Sequence, residues 1–323
     1  MHYLADYGFF LAKISTVVIA ALILLAGMMA ILMKGKAEAK LALLRVKLLN
    51  KKYEDFATTL NEEVLPKKEF KRFLKAQKEQ DKKEKKARKR VFVLDFQGDL
   101  RASNLDSFRE EVTALLMVAQ AQDEIVVKIE SAGGLVYAYG LAASQLDRIK
   151  QHGMILTVAV DKVAASGGYL MACVANKIIA APFAIIGSLG VVAQLPNFHR
   201  FLKRHDIDFE QVTAGEYKRT LTLFGENTEK ARDKFREELN QVHDSFKEYV
   251  LEHRHGVDID AVATGEHWLA AQAKKLNLVD ELMTSDDYLL RASKECDVFE
   301  VSYEQKKPFL TRLLEKTANW RGL

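Results

Sequence analysis

Apolar residues are spread unevenly along the chain, in three successive regimes. From Ile14 to Met33, twenty residues pass without a charge. Wound as an α-helix, such a run reaches about 30 Å, the thickness of a bilayer's hydrocarbon core. It is longer than the apolar region of a cleaved signal peptide and runs straight into ILMKGKAEAK, so a retained membrane anchor is expected. Lys34 to Arg90 is strongly polar and closes on KAQKEQDKKEKKARKR, the pattern of a solvated helical or disordered stalk. From Val91 short β-branched runs alternate with stretches of helical period. Strands are expected at VFVLDF, EIVVKIE, MILTVAV, KIIAA and DFEQVTA. Helices are expected at SNLDSFREEVTALLMVA, YAYGLAASQLDRIKQ, SGGYLMACVA, PNFHRFLKRHDI, Thr228 to His253 and TGEHWLAAQAKKLNLVDEL, the last leading into a short strand. This alternation predicts an α/β fold with a mostly parallel sheet and crossover helices. The expected organisation is a short segment 1–13, an anchor 14–33, a basic stalk 34–90 and one domain with its C-terminal tail over 91–323.

Charge orients this arrangement. The formal net charge is only +4, but it is lopsided: Lys and Arg dominate after the anchor, while Asp6 and Lys13 are the only Asp, Glu, Lys or Arg residues ahead of it. The positive-inside tendency therefore places the N-terminus outside and the bulk of the chain in the cytoplasm. No aromatic residues are interleaved with the basic run before Arg90, so attraction to anionic lipid headgroups is the expected role and nucleic acid is not an expected partner. The two cysteines, Cys173 and Cys296, have the spacing of neither a disulfide framework nor a metal site.

Candidate chemistry gathers where glycine pairs follow strands. In KIESAGGLVYAYG, Gly133 and Gly134 come directly off a strand, at the edge where open α/β sheets gather ligands. Taken alone, the pair is more simply a tight strand-to-helix turn that needs positive φ. In VAASGGYLMA, Ser166 precedes Gly167 and Gly168 at the next strand-to-helix junction, where first-turn N–H groups have no helical partner. A serine nucleophile there has ready-made oxyanion donors beside it. As its base, His199 is the one serious histidine. Lys218, in TAGEYKRTLTLFG, is the other option, since lysine acts as a base near neutral pH where burial strips its charge. The residues alone favour ordinary surface charge for Lys218.

From about Val91 to Leu282 the chain resembles the signal peptide peptidase A family of serine peptidases, most closely its membrane-anchored SohB-type members. The resemblance is carried, in order, by IESAGG, DKVAASGGYLMA, APFAIIGSLGVV, TAGEYKRTLTLFGENTE and ATGEHWLAAQAKKLNLVDE. It implies a ClpP/crotonase-like fold and a Ser-Lys dyad, with Ser166 as nucleophile, Lys218 as general base and Ser188 orienting the lysine. Gly133 and Gly167 would supply the oxyanion-hole N–H groups. It further implies a bacterial inner-membrane protein acting on peptides without cofactor or metal. It implies a homo-oligomer, with the lysine of one subunit reaching the serine of another or, alternatively, a dyad closed within one chain. The chain departs from the family pattern at Ala132, where Ser-Pro-Gly-Gly is usual; proline fixes φ near −65°, so the turn here is expected to be less rigid. Two other classes are compatible with the fold. An acyl-CoA hydratase or isomerase would place a carboxylate where proton transfer is needed, whereas Ser166 occupies the nucleophile turn, and a silent membrane scaffold would not need Ser166 and Lys218.

Overall fold

The structure, a computed structural model, describes residue 10, residues 13–25, residue 27, residues 43–83 and residues 88–304. The chain divides into two units, residues 1–45 with 303–323, and residues 46–302. In the first, residues 13–25 are helical (α1), with Val17, Ile19, Leu22, Ile23 and Leu24 exposed. Residues 26 and 28–33 of the expected anchor lie outside the described residues. Among the described residues no helix is long and apolar enough to cross a membrane.

The second unit is organised by one sheet. Its strands are β1 (Leu43–Leu48, from Val46 in this unit), β2 (Lys89–Gly98), β3 (Glu124–Ser131), β4 (Ile155–Val160), β5 (Val163–Ala165), β6 (Lys177–Ala180), β7 (Ile185–Gly187), β8 (His267–Leu269), β9 (Glu281–Leu282) and β10 (Cys296–Glu304, to Ser302 in this unit). The main path runs β1-β10-β2-β3-β4-β6-β9, and β5, β7 and β8 branch off from β3. Pairing is parallel from β10 through β9 and along β3, β5 and β7; β8 closes the branch antiparallel to β7. The continuous apolar runs of β2, β3 and β4 are explained by this arrangement, because a parallel sheet is covered on both faces. On one face Phe96, Phe108, Ile129, Tyr139, Leu146 and Ile149 form the main core with helices α4 (Leu105–Leu116) and α5 (Val136–Gln151). On the other, Val91, Val93, Val126 and Ile179 pack with Leu49 and Leu289 of α2 (Leu49–Val64) and α11 (Ser285–Glu295).

The α/β class and the parallel sheet agree with the hydrophobic pattern, and several elements differ from it. The stalk is not solvated throughout: α2 begins inside it, α3 spans Lys67–Lys83, and β2 starts at Lys89. Asn50 of α2 is buried; its amide donates to the carbonyls of Ser293 and Cys296, and its carbonyl accepts from the Val298 N–H at 2.8 Å. DFEQVTA is not a strand: residues 208–214 are exposed and without regular secondary structure, and the strand that pairs with β7 is β8. TGEHWLAAQ opens as that strand rather than as a helix. The helical part shrinks to Ala270–Ala273 (α10) and a 3₁₀ turn that stops at Asn277, which has φ +60°. The helix after Ser166 (α6, Gly167–Ala172) and the one after Phe198 (α7, His199–Arg204) are shorter than the periodicity predicts. Thr228 caps α8 (Glu229–His253), accepting from the Ala231 N–H.

The end of α8 is tied into the core by charge. Arg254, nine-tenths buried, donates to both carboxylate oxygens of Asp280 and to the Asn277 carbonyl. Burial pushes the neighbouring His253 imidazole below its ordinary range, against the pull of the Asp147 carboxylate 3.4 Å away; Lys150 and His255 push the same way as burial, and Glu252 opposes it. Because the folded chain resists a proton that the unfolded chain binds below about pH 6.5, this group's contribution is complete above that pH and is lost as pH falls through it. The Tm is expected to fall on acidification from about pH 7.5 to about pH 5.5. His253→Gln should flatten that slope; an unchanged slope in the variant would exclude His253 as its source.

Candidate active site

Three parallel strands end side by side at the site. Register pairs Ser131 of β3 with Ala164 of β5, and Ala165 of β5 with Gly187 of β7. The residues that leave these strands at their carboxyl ends are therefore the Ala132–Gly134 turn, Ser166 and Ser188. This is where parallel α/β sheets bind ligands.

Ser166 occupies the bend between β5 and α6. Its φ of +51° and ψ of −121° are strained for a residue with a side chain, and they place the hydroxyl on a sharp strand-to-helix turn. The bend is held by its N–H donating to the Gly187 carbonyl at 2.7 Å and its carbonyl accepting from the Leu170 N–H at 2.9 Å. Gly133 lies directly against it. With φ +90°, its missing Cβ would stand 2.8 Å from the Ser166 Cβ and 2.7 Å from the Gly167 nitrogen, so only glycine fits. Gly167 is glycine because the ring of Tyr139 fills the space a side chain would take.

Among the described residues the N–H groups of Gly134 and Gly167 have no hydrogen-bond partner, while that of Gly133 donates to Ser131 Oγ at 3.0 Å. Ser188 is half-buried beside Ser166, also at positive φ (+53°), with its N–H donating to the Glu266 carbonyl at 2.6 Å. The structure thus brings Ser166, Ser188, Gly133 and Gly167 together. Lys218 is not joined to them: it is exposed, its N–H donates to the Gly215 carbonyl, and no hydrogen bond or ion pair among the described residues links it to Ser166 or Ser188. His199 stands on short α7 and likewise makes no bond to Ser166 among the described residues.

Three residues near the site escape sequence reasoning. His243 is half-buried, and its Nε2 lies 3.2 Å from the Leu189 carbonyl next to Ser188. Its spacing from Phe246 and Val250, three and seven residues on, marks the inward face of α8 and is the signal for it. Ser131 and Tyr139, both buried, carry no comparable local signal. A cleft of about 520 Å³ lined by Lys150, Asn176, His253, Arg254 and Asp280 opens at the amino ends of β4 and β6, away from these residues.

Residues 2–146 match the model of the peptidase family S49 N-terminal region, and residues 148–298 that of peptidase family S49. Across 96% of this chain and 91% of the other, the sequence is 48% identical to a Haemophilus influenzae protein described as "Probable protease SohB". The chain belongs to peptidase family S49. A second S49 relative, a "Probable protease SohB" of Buchnera aphidicola, is 52% identical over 71% of this chain and 68% of that protein. Among solved structures, a ClpP1 mutant from Listeria monocytogenes aligns over 62% of this chain and 94% of that chain, at 16% identity and TM-score 0.40. The S49 matches span both halves of the site: the Ser131–Gly134 turn falls in the N-terminal model, and Ser166, Ser188 and Lys218 fall in the second.

Proposed function

We propose that this S49 peptidase is a membrane-anchored serine endopeptidase with a Ser166–Lys218 dyad, acting on membrane-derived or unfolded peptides. The observation that carries the reading is the strained turn at Ser166, pressed against Gly133 and followed by an unpartnered Gly167 N–H. Lys218 takes the proton of Ser166 as Oγ attacks a peptide carbonyl, and backbone N–H groups of the Gly133–Gly134 turn and of Gly167 receive the oxyanion. Gly133 keeps its bond to Ser131 Oγ and shares the same N–H with the oxyanion. Lys218 then protonates the leaving amine and activates the water that releases the acyl group; Ser188 orients the lysine. Serine and lysine supply nucleophile and base between them, so chelation of divalent metals should leave cleavage of an unfolded carrier such as casein unchanged. Loss of cleavage on chelation would overturn the dyad reading.

The exposed position of Lys218 supports a dyad closed between subunits. Its segment carries exposed Phe198, Phe201, Phe209, Val212 and Phe224, with Phe209 and Phe224 rings 5.6 Å apart, an apolar surface suited to a neighbouring copy. Mixing inactive Ser166→Ala with inactive Lys218→Ala protein is expected to restore activity, because some interfaces then pair an intact serine with an intact lysine. Demonstrated subunit exchange without recovery would place both residues in one chain. The uncharged run from Ile14 and the exposed apolar side chains of α1 support the anchor, and the basic residues after it support a cytoplasmic catalytic domain.

A further inference from the structure

We infer that Tyr139 and Ser131 are positioning residues that hold the Gly133 turn against Ser166 through one buried chain of hydrogen bonds; the catalytic part of this inference rests on the serine peptidase reading. Tyr139 is fully buried and Ser131 is 2% exposed. The Tyr139 hydroxyl donates its only proton to the Asp99 carbonyl at 2.7 Å. The 2.6 Å contact between Tyr139 Oη and Ser131 Oγ must then be a donation from Ser131, which leaves Ser131 Oγ to accept the Gly133 N–H at 3.0 Å. The chain therefore runs with one polarity, from Gly133 N–H through both hydroxyls to Asp99, and each link polarises the next.

Its far end is fixed. The Asp99 carboxylate accepts from the N–H groups of Arg101 and Ser103 and from the Ser103 hydroxyl, which ties the loop carrying the terminal carbonyl. Its near end reaches both turns of the site. The ring of Tyr139 packs on Gly167, and the carbonyl of Ser131 occupies the space over Gly168. One tyrosine therefore touches the residue after the nucleophile with its ring and steers the facing glycine turn with its hydroxyl. The turn needs such a restraint, because Ala132 leaves its backbone without the covalent constraint of a proline ring.

Tyr139→Phe removes the hydroxyl and keeps the ring; Ser131→Ala removes the link to Gly133. Each is expected to lower kcat about ten-fold, the worth of one buried hydrogen bond, with KM within about two-fold of wild type. The double variant should be no worse than the poorer single one, because both cut the same chain. Hydrogen–deuterium exchange over residues 131–135 should quicken about ten-fold in each variant while exchange in β4 stays at the wild-type rate. Unchanged kcat in both variants, additive losses in the double variant, or exchange that quickens equally in β4 would overturn the inference. If wild-type protein neither cleaves peptides nor reacts at Ser166, the peptidase reading falls, and the local exchange still decides whether the hydroxyl pair holds the turn.

Discussion

Alanine at Ser166 or at Lys218 is expected to lower kcat/KM for peptide cleavage by about 10⁴-fold or more, since nucleophile and base act as a unit and either loss removes the covalent route. Ser166→Ala is a clean deletion: alanine retains the Cβ that lies beside Gly133, and the bend at φ +51° is held by the backbone bonds to Gly187 and Leu170. Its Tm should stay close to wild type. Lys218→Arg should be as inactive as Lys218→Ala, because a guanidinium remains protonated and cannot accept the serine proton. Steady-state kinetics with a fluorogenic peptide checks all three variants. Substantial activity in Lys218→Ala would remove lysine as the base and return attention to His199 and to His243, whose imidazole stands beside the Ser188 segment.

Gly133→Ala is the second large effect. The new methyl has to enter space held by the Gly167 nitrogen, the Ser166 Cβ and the Ala165 carbonyl, at 2.7, 2.8 and 2.9 Å, all on the nucleophile's own turn. Relief can only come by moving the two turns apart, which displaces the N–H groups offered to the oxyanion. The expected cost is about 10²–10³-fold in kcat, the scale of losing an oxyanion donor, with about 1–3 kcal/mol of stability from the positive φ and the crowding. Gly153→Ala is the control: its φ of +78° imposes similar strain, but a Cβ there meets open space. It should lose stability without losing kcat. Equal kinetic losses in the two variants, or wild-type kcat in Gly133→Ala, would mean that the Gly133 turn does not face the reacting carbonyl.

The parts of this fold visible in the sequence are those set by local pattern. VFVLDF, EIVVKIE and MILTVAV read as strands because both their faces are buried, and the glycine pairs after Ser131 and Ser166 mark turns that admit no side chain. What escaped is set by distant partners. CDVFEVSYE has the Val and aromatic content of a strand, but the edge it joins is that of β2, about 200 residues earlier in the chain, with Val298 opposite Val91. Asn50 sits in a segment that looks solvated and is buried through bonds to residues 243–248 positions away. DFEQVTA has strand-like composition, yet it lies exposed and joins no strand. The same division holds at the site. The turns at Gly133 and Ser166 are visible as glycine pairs that follow strands, whereas Lys218 and Ser188 are singled out only through family resemblance, and Lys218 stands exposed without a bond to Ser166 among the described residues. The Ser131–Tyr139 chain depends on how α5 lies across the sheet.

Ser166 as the nucleophile is the assignment on which the whole mechanism rests. It is tested most directly by reacting the purified protein with a fluorophosphonate and locating the adduct by mass spectrometry. One adduct is expected, on Ser166, absent from Ser166→Ala and formed much more slowly in Lys218→Ala. An adduct on another serine, or labelling of Ser166→Ala as strong as that of the wild type, would contradict it.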